Sequence, residues 1–152
     1  MNLKIWELVS IFLGALVAGM FVGPWAALSR SIATFEPEVC LAIVRRMDRN
    51  MAQVMRVLMP TALLSMVPVL VFSYGSEPRV FWLNAVGFGL FLVALVVTLA
   101  VEVPIVKQIV SWTVATLPSD WERLRDRWSA FHLVRIGAAT VGLVLLLVAA
   151  IF

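Results

Sequence analysis

The sequence predicts an all-α integral membrane protein: a bundle of four spans with two amphipathic connector helices on one side. Three observations carry that reading. Hydrophobic residues make up 62% of the 152 residues, and the mean hydropathy is +1.02. Charged residues make up only 14%, where a soluble domain carries about 25%. The apolar residues gather into four runs, and about 20 such residues cross a bilayer as a helix. The chain is read as one domain over residues 1–152, with spans at about 5–28, 51–72, 81–103 and 130–152.

The first span, Ile5 to Leu28, is too long for the apolar core of a signal peptide. Only Lys4 precedes it, balanced by Glu7, so it reads as a retained helix. Gly14, Gly19 and Gly23, with Ala15 and Ala18, place small residues at four- and five-residue spacings, which lets membrane helices approach closely. Pro24-Trp25 reads as a kink or an interfacial anchor.

A polar turn to Thr34 leads to Thr34-Phe35-Glu36-Pro37-Glu38. This is a helix start by its hydroxyl, early acids and early proline. The amphipathic segment from Glu38 to Asn50 feeds directly into span two, where Pro60 and Pro68 are expected to bend the helix or free backbone groups. Tyr74 to Arg79 is a tight loop before span three, which ends at Glu102-Val103-Pro104. Ile105 to Thr116 reads as the second connector helix. Ser119-Asp120-Trp121-Glu122 has the pattern of a capping box and opens a helix that runs on into span four. On that helix Trp121, Arg125, Trp128, His132 and Arg135 share one stripe at about 100° per residue.

Composition excludes several functions. The net charge is +3, from 12 basic and 9 acidic residues. These charges lie at membrane edges, which is not the footprint of a nucleic-acid-binding protein. A single cysteine, Cys40, precludes an internal disulfide and any Cys–Cys metal motif. It reads as a small buried or interfacial residue, with acylation the lesser alternative. Met47, Met51, Met55 and Met59 invite a Cu(I) reading. A four-residue step drifts by about 40° per repeat, however, so they do not converge and read as core filling. Haem ligation by His132 is the one metal role left open. A transporter finds no inverted repeat with broken helices.

Polar side chains converge on the connector side. Span two brings Arg49, Asn50, Gln53 and Arg56; span three brings Glu102, then Gln108 and Trp112; span four brings Trp128, His132 and Arg135. The arginines of the stripe read as interfacial anchors or members of structural ion pairs, and tryptophan prefers the same depth. Glu102, Arg56 and His132 lie further inside apolar runs, where ionisable groups have partners or a function. Glu102 is expected to pair with Arg56 or Arg135. A desolvated carboxyl or a lone imidazole there can act as a general base.

These residues also carry a resemblance. Glu102-Val103-Pro104-Ile105, Gln108-Ile109, Trp112-Thr113, Thr116-Leu117-Pro118, Asp120-Trp121, Arg125-Asp126-Arg127-Trp128, Phe131-His132 and Arg135 resemble a family of small four-helix bacterial membrane proteins. So do Gly23-Pro24-Trp25, Leu28-Ser29-Arg30-Ser31, Thr34-Phe35 and Asn50-Met51. That family is grouped with anthrone oxygenases and is otherwise a domain of unknown function. The resemblance implies oxidation of an anthrone to an anthraquinone by molecular oxygen, with no metal, flavin or other cofactor. It implies Glu102 or His132 as the base, Arg56 and Arg135 as enolate stabilisers, and Trp112 and Trp128 as ring-stacking partners. Val106 and Lys107 stand where many relatives place Asp or Asn.

Two functions are therefore expected from the sequence. One is a cofactor-free oxygenase or related redox enzyme acting on a small, aromatic or quinol-like, lipid-soluble substrate. Asn50, Gln53 and Gln108 join the binding set of its pocket. The other is a non-catalytic accessory protein or homo-oligomeric scaffold. The connector side holds ten of the Lys and Arg residues and the terminal side only Lys4 and Arg79. The positive-inside rule then places the connectors in the cytoplasm and both termini outside, and the resemblance implies that the membrane is a bacterial inner membrane. A reporter fused after Phe152 is expected to read as external; a cytoplasmic readout reverses the orientation.

Overall fold

The computed structural model describes residues 3–28, 31–75 and 77–152, so Ser29, Arg30 and Ser76 of the two turns lie outside the described residues. The described residues are helical with no strand. Helix α1 is Leu3–Leu28, α2 is Pro37–Ser73, α3 is Pro78–Val97, α4 is Val103–Ser111 and α5 is Trp121–Ile151. A π-helical turn, Thr98–Glu102, joins α3 to α4 without a break. Counting Pro78–Ser111 as one, four helices are long and apolar enough to cross a membrane.

Lys4 Nζ donates to the carbonyl of Ala150 (3.1 Å), and the Arg79 guanidinium lies 4.1 Å above the Phe152 ring. Both chain ends and the α2–α3 turn thus sit at one end of the bundle. Gly75 has φ +88° in that turn, a conformation open to glycine because it has no Cβ. Glu7 of α1 is buried there and pairs with Lys4 at 3.1 Å; the sequence reading used it only as a charge balance.

Two apolar cores are stacked along the bundle. The longer one, between the spans, is built from Val17 and Phe21 of α1, Met59 and Met66 of α2, Phe91 of α3 and Leu146 of α5. The second lies at the connector end, where α2, at about 55 Å by its 1.5 Å rise per residue, outruns α1. Cys40, Leu41 and Val44 of α2 meet Ile105 and Ile109 of α4 there, with Trp112, Trp121 and Trp128 packed against them. Large apolar side chains such as Leu8, Val57, Leu64, Val96 and Ile151 face outward, as expected where the surrounding solvent is lipid.

Several local expectations are corrected. Neither Thr34 nor Ser119 caps a helix. Thr34 Oγ1 donates back to the Ser31 carbonyl (2.7 Å), and α2 starts from Glu36 with Pro37 in its first turn. Helix α5 starts after Asp120 with no side-chain cap. The second connector helix stops at Ser111 rather than Thr116. There Arg45 donates to the carbonyls of Val110 (3.3 Å) and Trp112, supplying donors that the helix end lacks. Thr113 and Thr116 then cap each other reciprocally around a short 3₁₀ turn. Pro60 and Pro68 lie inside α2, which runs on past both as one helix.

The packing between α3 and α5 depends on two glycines. A Cβ added to Gly142 would meet the Gly87 carbonyl oxygen at 3.0 Å and Phe91 Cδ2 at 3.1 Å. One added to Gly87 would meet the Gly142 carbonyl oxygen at 3.1 Å. Of the small residues expected to matter in span one, Gly14 faces Phe91, whereas Gly19 and Gly23 have nothing within 4 Å. Gly142→Val is therefore expected to lower stability by about 1–3 kcal/mol through overpacking. Gly19→Val should stay within about 0.5 kcal/mol, as at other open surface positions. Denaturant unfolding in detergent, followed by circular dichroism, checks both.

Candidate functional site

The polar centre lies where the two cores meet, and Pro104 explains its shape. A proline has no N–H, and its ring clashes with the carbonyl four residues earlier. The helix answers by widening: the N–H of Val103 bonds to the carbonyl of Thr98, a five-residue step. Such π turns are frequent at functional sites. This one delivers the Glu102 side chain into the bundle, where only 4% of the residue remains exposed.

A carboxylate that deeply placed requires a cation. Arg135 of α5 supplies it, with Nη2 2.7 Å from Glu102 Oε2. Its Nη1 donates to Thr98 Oγ1 (3.2 Å), whose hydroxyl in turn donates to the Ala94 carbonyl (2.7 Å). The guanidinium lies 4.2 Å above the ring of Phe21, a cation–π contact. Of the two partners expected for Glu102, the structure thus selects Arg135.

His132, one turn before Arg135, is 7% exposed. Its Nε2 lies 3.0 Å from the Phe21 carbonyl. A carbonyl only accepts, so Nε2 carries the hydrogen. Nδ1 lies 2.7 Å from Arg135 Nη2, which only donates, so Nδ1 is the accepting nitrogen of a neutral ring. The same Nδ1 is 3.5 Å from Glu102 Oε1, a buried oxygen with no hydrogen bond. Both ring nitrogens thus have a protein partner.

Trp128 stands over this centre, its ring centroid 5.9 Å from that of His132 and tilted by 33°. Its buried Nε1–H has no partner. A cavity of about 20 Å³ reaches His132 between Pro24, Trp25, Leu28, Ile32, Met47, Trp128 and Ser129. That is room for one water, far below the several hundred Å³ of a small-molecule pocket.

The other predicted residues fall elsewhere. Asn50, Gln53 and Arg56 of α2 and Gln108 of α4 are exposed on the outside of the bundle. Trp112 packs in the connector-end core. Arg125, expected to be an interfacial anchor or part of a structural ion pair, is buried; it pairs with Asp126, Nε donating to Oδ1 (3.0 Å), and lies over the Trp121 ring. Sequence reasoning did not single out Thr98 or Phe21. The proline two residues after Glu102 was the available signal for Thr98, since it marks where a helix must widen. Phe21 acts through its carbonyl and ring face, which no spacing announces.

Fold and site together define a four-helix membrane protein with a buried Glu–His–Arg centre at one end of the bundle. Residues 49–145, more than half of the chain, match the model of the anthrone oxygenase family, and the chain belongs to that family. No curated protein and no solved structure matches it.

Removing one member of a buried ion pair leaves the other uncompensated. Arg135→Leu is expected to cost about 3–5 kcal/mol, and Glu102→Leu combined with Arg135→Leu should recover most of it. Unfolding of the single and double variants in detergent tests this. A double variant no better than Arg135→Leu would show that the loss has another source.

Proposed function

We propose that this protein is a membrane oxygenase of the anthrone type, acting without a cofactor on a small aromatic or quinol-like, lipid-soluble substrate. The observation that carries the reading is His132 Nδ1: a buried accepting nitrogen set between Arg135 and the unbonded Oε1 of Glu102. An anthrone gives up a proton from its ring CH₂ to leave an enolate. In this reading Nδ1 takes that proton and Glu102 steadies the resulting imidazolium. Arg135, released from Nδ1, turns an N–H toward the enolate oxygen. The carbanion then reduces molecular oxygen, forming a C–O bond and a hydroperoxide. Loss of the second C–H proton with cleavage of the O–O bond gives the quinone carbonyl and one water. Anthrone and O₂ become anthraquinone and H₂O, with no outside reductant.

Three fused rings do not fit a cavity of about 20 Å³. Binding therefore requires the Pro24–Leu28 end of α1 to part from Trp128. The substrate's carbonyl would then meet the unpartnered Trp128 Nε1–H. The proposed setting is a bacterial inner membrane with the connectors in the cytoplasm, supported by the arginines gathered at that end.

The same small cavity favours a second reading, a non-catalytic accessory or scaffold protein whose Glu102–Arg135 pair only joins helices. Ala15, Gly19 and Gly23 point outward on α1, a face suited to a second helix.

Incubating the purified protein with an anthrone under oxygen separates the two. The oxygenase reading expects quinone formation above autoxidation. It also expects at least about a 10²-fold loss in Glu102→Gln and His132→Ala, the usual scale for a general base, with helicity kept. Background rates for the wild-type protein, with oligomers in native mass spectrometry, would favour the scaffold.

A further inference from the structure

The arginine stripe of α2 is left unexplained by the buried centre. Arg49, Gln53 and Arg56 lie at steps of four and three residues, and seven residues bring a helix round to within about 20° of its starting face. All three are exposed. Among the described residues, none of them has a hydrogen bond or an ion pair. The face beside them is apolar, with Val54 and Val57 outward.

Depth makes this costly unless something answers it. About 20 residues cross the hydrocarbon, and that many counted back from Ser73, the end of α2, reach Val54. Arg49 then stands outside the hydrocarbon, Gln53 at its edge and Arg56 within its first turn. Helix side chains lean toward the helix N-terminus, which for α2 is the connector end. Arg56 therefore reaches up past Gln53 toward the headgroups, as a snorkelling arginine does. Two guanidinium groups, donors only, and the NH₂ of an amide come together at the level of lipid phosphates. Val54 and Val57 lie where acyl chains would run. Asp48, next to Arg49 in the chain, makes no ion pair with it among the described residues, and from Arg49 to Ser73 there is no Asp or Glu.

We propose that Arg49, Gln53 and Arg56 form a headgroup site for an anionic phospholipid on the outer face of α2. Arginine binds phosphate oxygens through paired N–H groups, and an anionic lipid brings no ammonium to compete for them. The occupant follows from charge complementarity at a surface flanked by apolar side chains. A second copy of this chain would have to bring a carboxylate to the same depth.

Native mass spectrometry of the full chain, extracted gently and titrated with phosphatidylglycerol or phosphatidylcholine, tests this. The wild-type protein is expected to retain phosphatidylglycerol at least about fivefold more than phosphatidylcholine, a modest margin for two charge-assisted contacts. Arg49→Gln with Arg56→Gln should bring retention down to the phosphatidylcholine level. Gln53→Glu, a single change at an exposed position, should do the same by repelling the phosphate. Arg123→Gln with Arg127→Gln, exposed on α5, should leave the preference intact. Equal retention of both lipids by the wild-type protein would overturn the proposal. So would a preference unchanged in both the Arg49/Arg56 and Gln53 variants, or a loss of dimers in these variants without a change in bound lipid.

Discussion

A carboxylate held in an apolar interior must be neutralised where it stands, and the arrangement of this bundle follows from how Glu102 meets that demand. Arg135 answers its charge and needs acceptors of its own, which Thr98 provides. Thr98 is in place because Pro104 opens the helix into a π turn. Phe21 completes the centre from α1, its ring under the guanidinium and its carbonyl on His132. Three helices are thus joined at one point by groups that cannot part without leaving a charge or a donor unpaired. An apolar contact would join them as firmly, since buried pairs confer little net stability. The pair does fix which atoms face each other, and it leaves a nitrogen that can take a proton.

Most of the fold was legible because its signals are long. A run of some twenty apolar residues has one reading in a chain with so few charges, and Pro37 marks a helix start by removing an N–H; Pro78, read as part of the loop to Arg79, opens α3 in the same way. The ends of the connectors were less legible because long-range contacts decide them. Nothing near Ser111 in the sequence stops α4; the Arg45 guanidinium, 65 residues away from Val110, caps it there. Ser119 and Glu122 have the spacing of a capping box, yet α5 begins without it.

For the centre, the sequence put Glu102, His132 and Arg135 at one level, and the structure brings these three together. It could not orient α2. Arg56 was as good a partner for Glu102 as Arg135 by depth alone, because a helix rotated by about half a turn keeps every depth and exchanges inside for outside. Arg125 shows the converse. It shares the stripe with His132, and the connector-end core closes over it.

The back-to-back glycines of α3 and α5 also bear on the centre. With carbonyls about 3 Å from where a Cβ would stand, those two helices touch backbone to backbone, and α5 has no room to tilt or slide on α3. Glu102 rides on the continuation of α3, and His132 and Arg135 ride on α5, so their mutual geometry is set by a rigid two-helix unit. Helix α1 meets that unit at the centre through the Phe21 carbonyl and ring face. The space above His132 is therefore bounded on one side by that unit and on the other by the Pro24–Leu28 end of α1 with Ile32 and Met47.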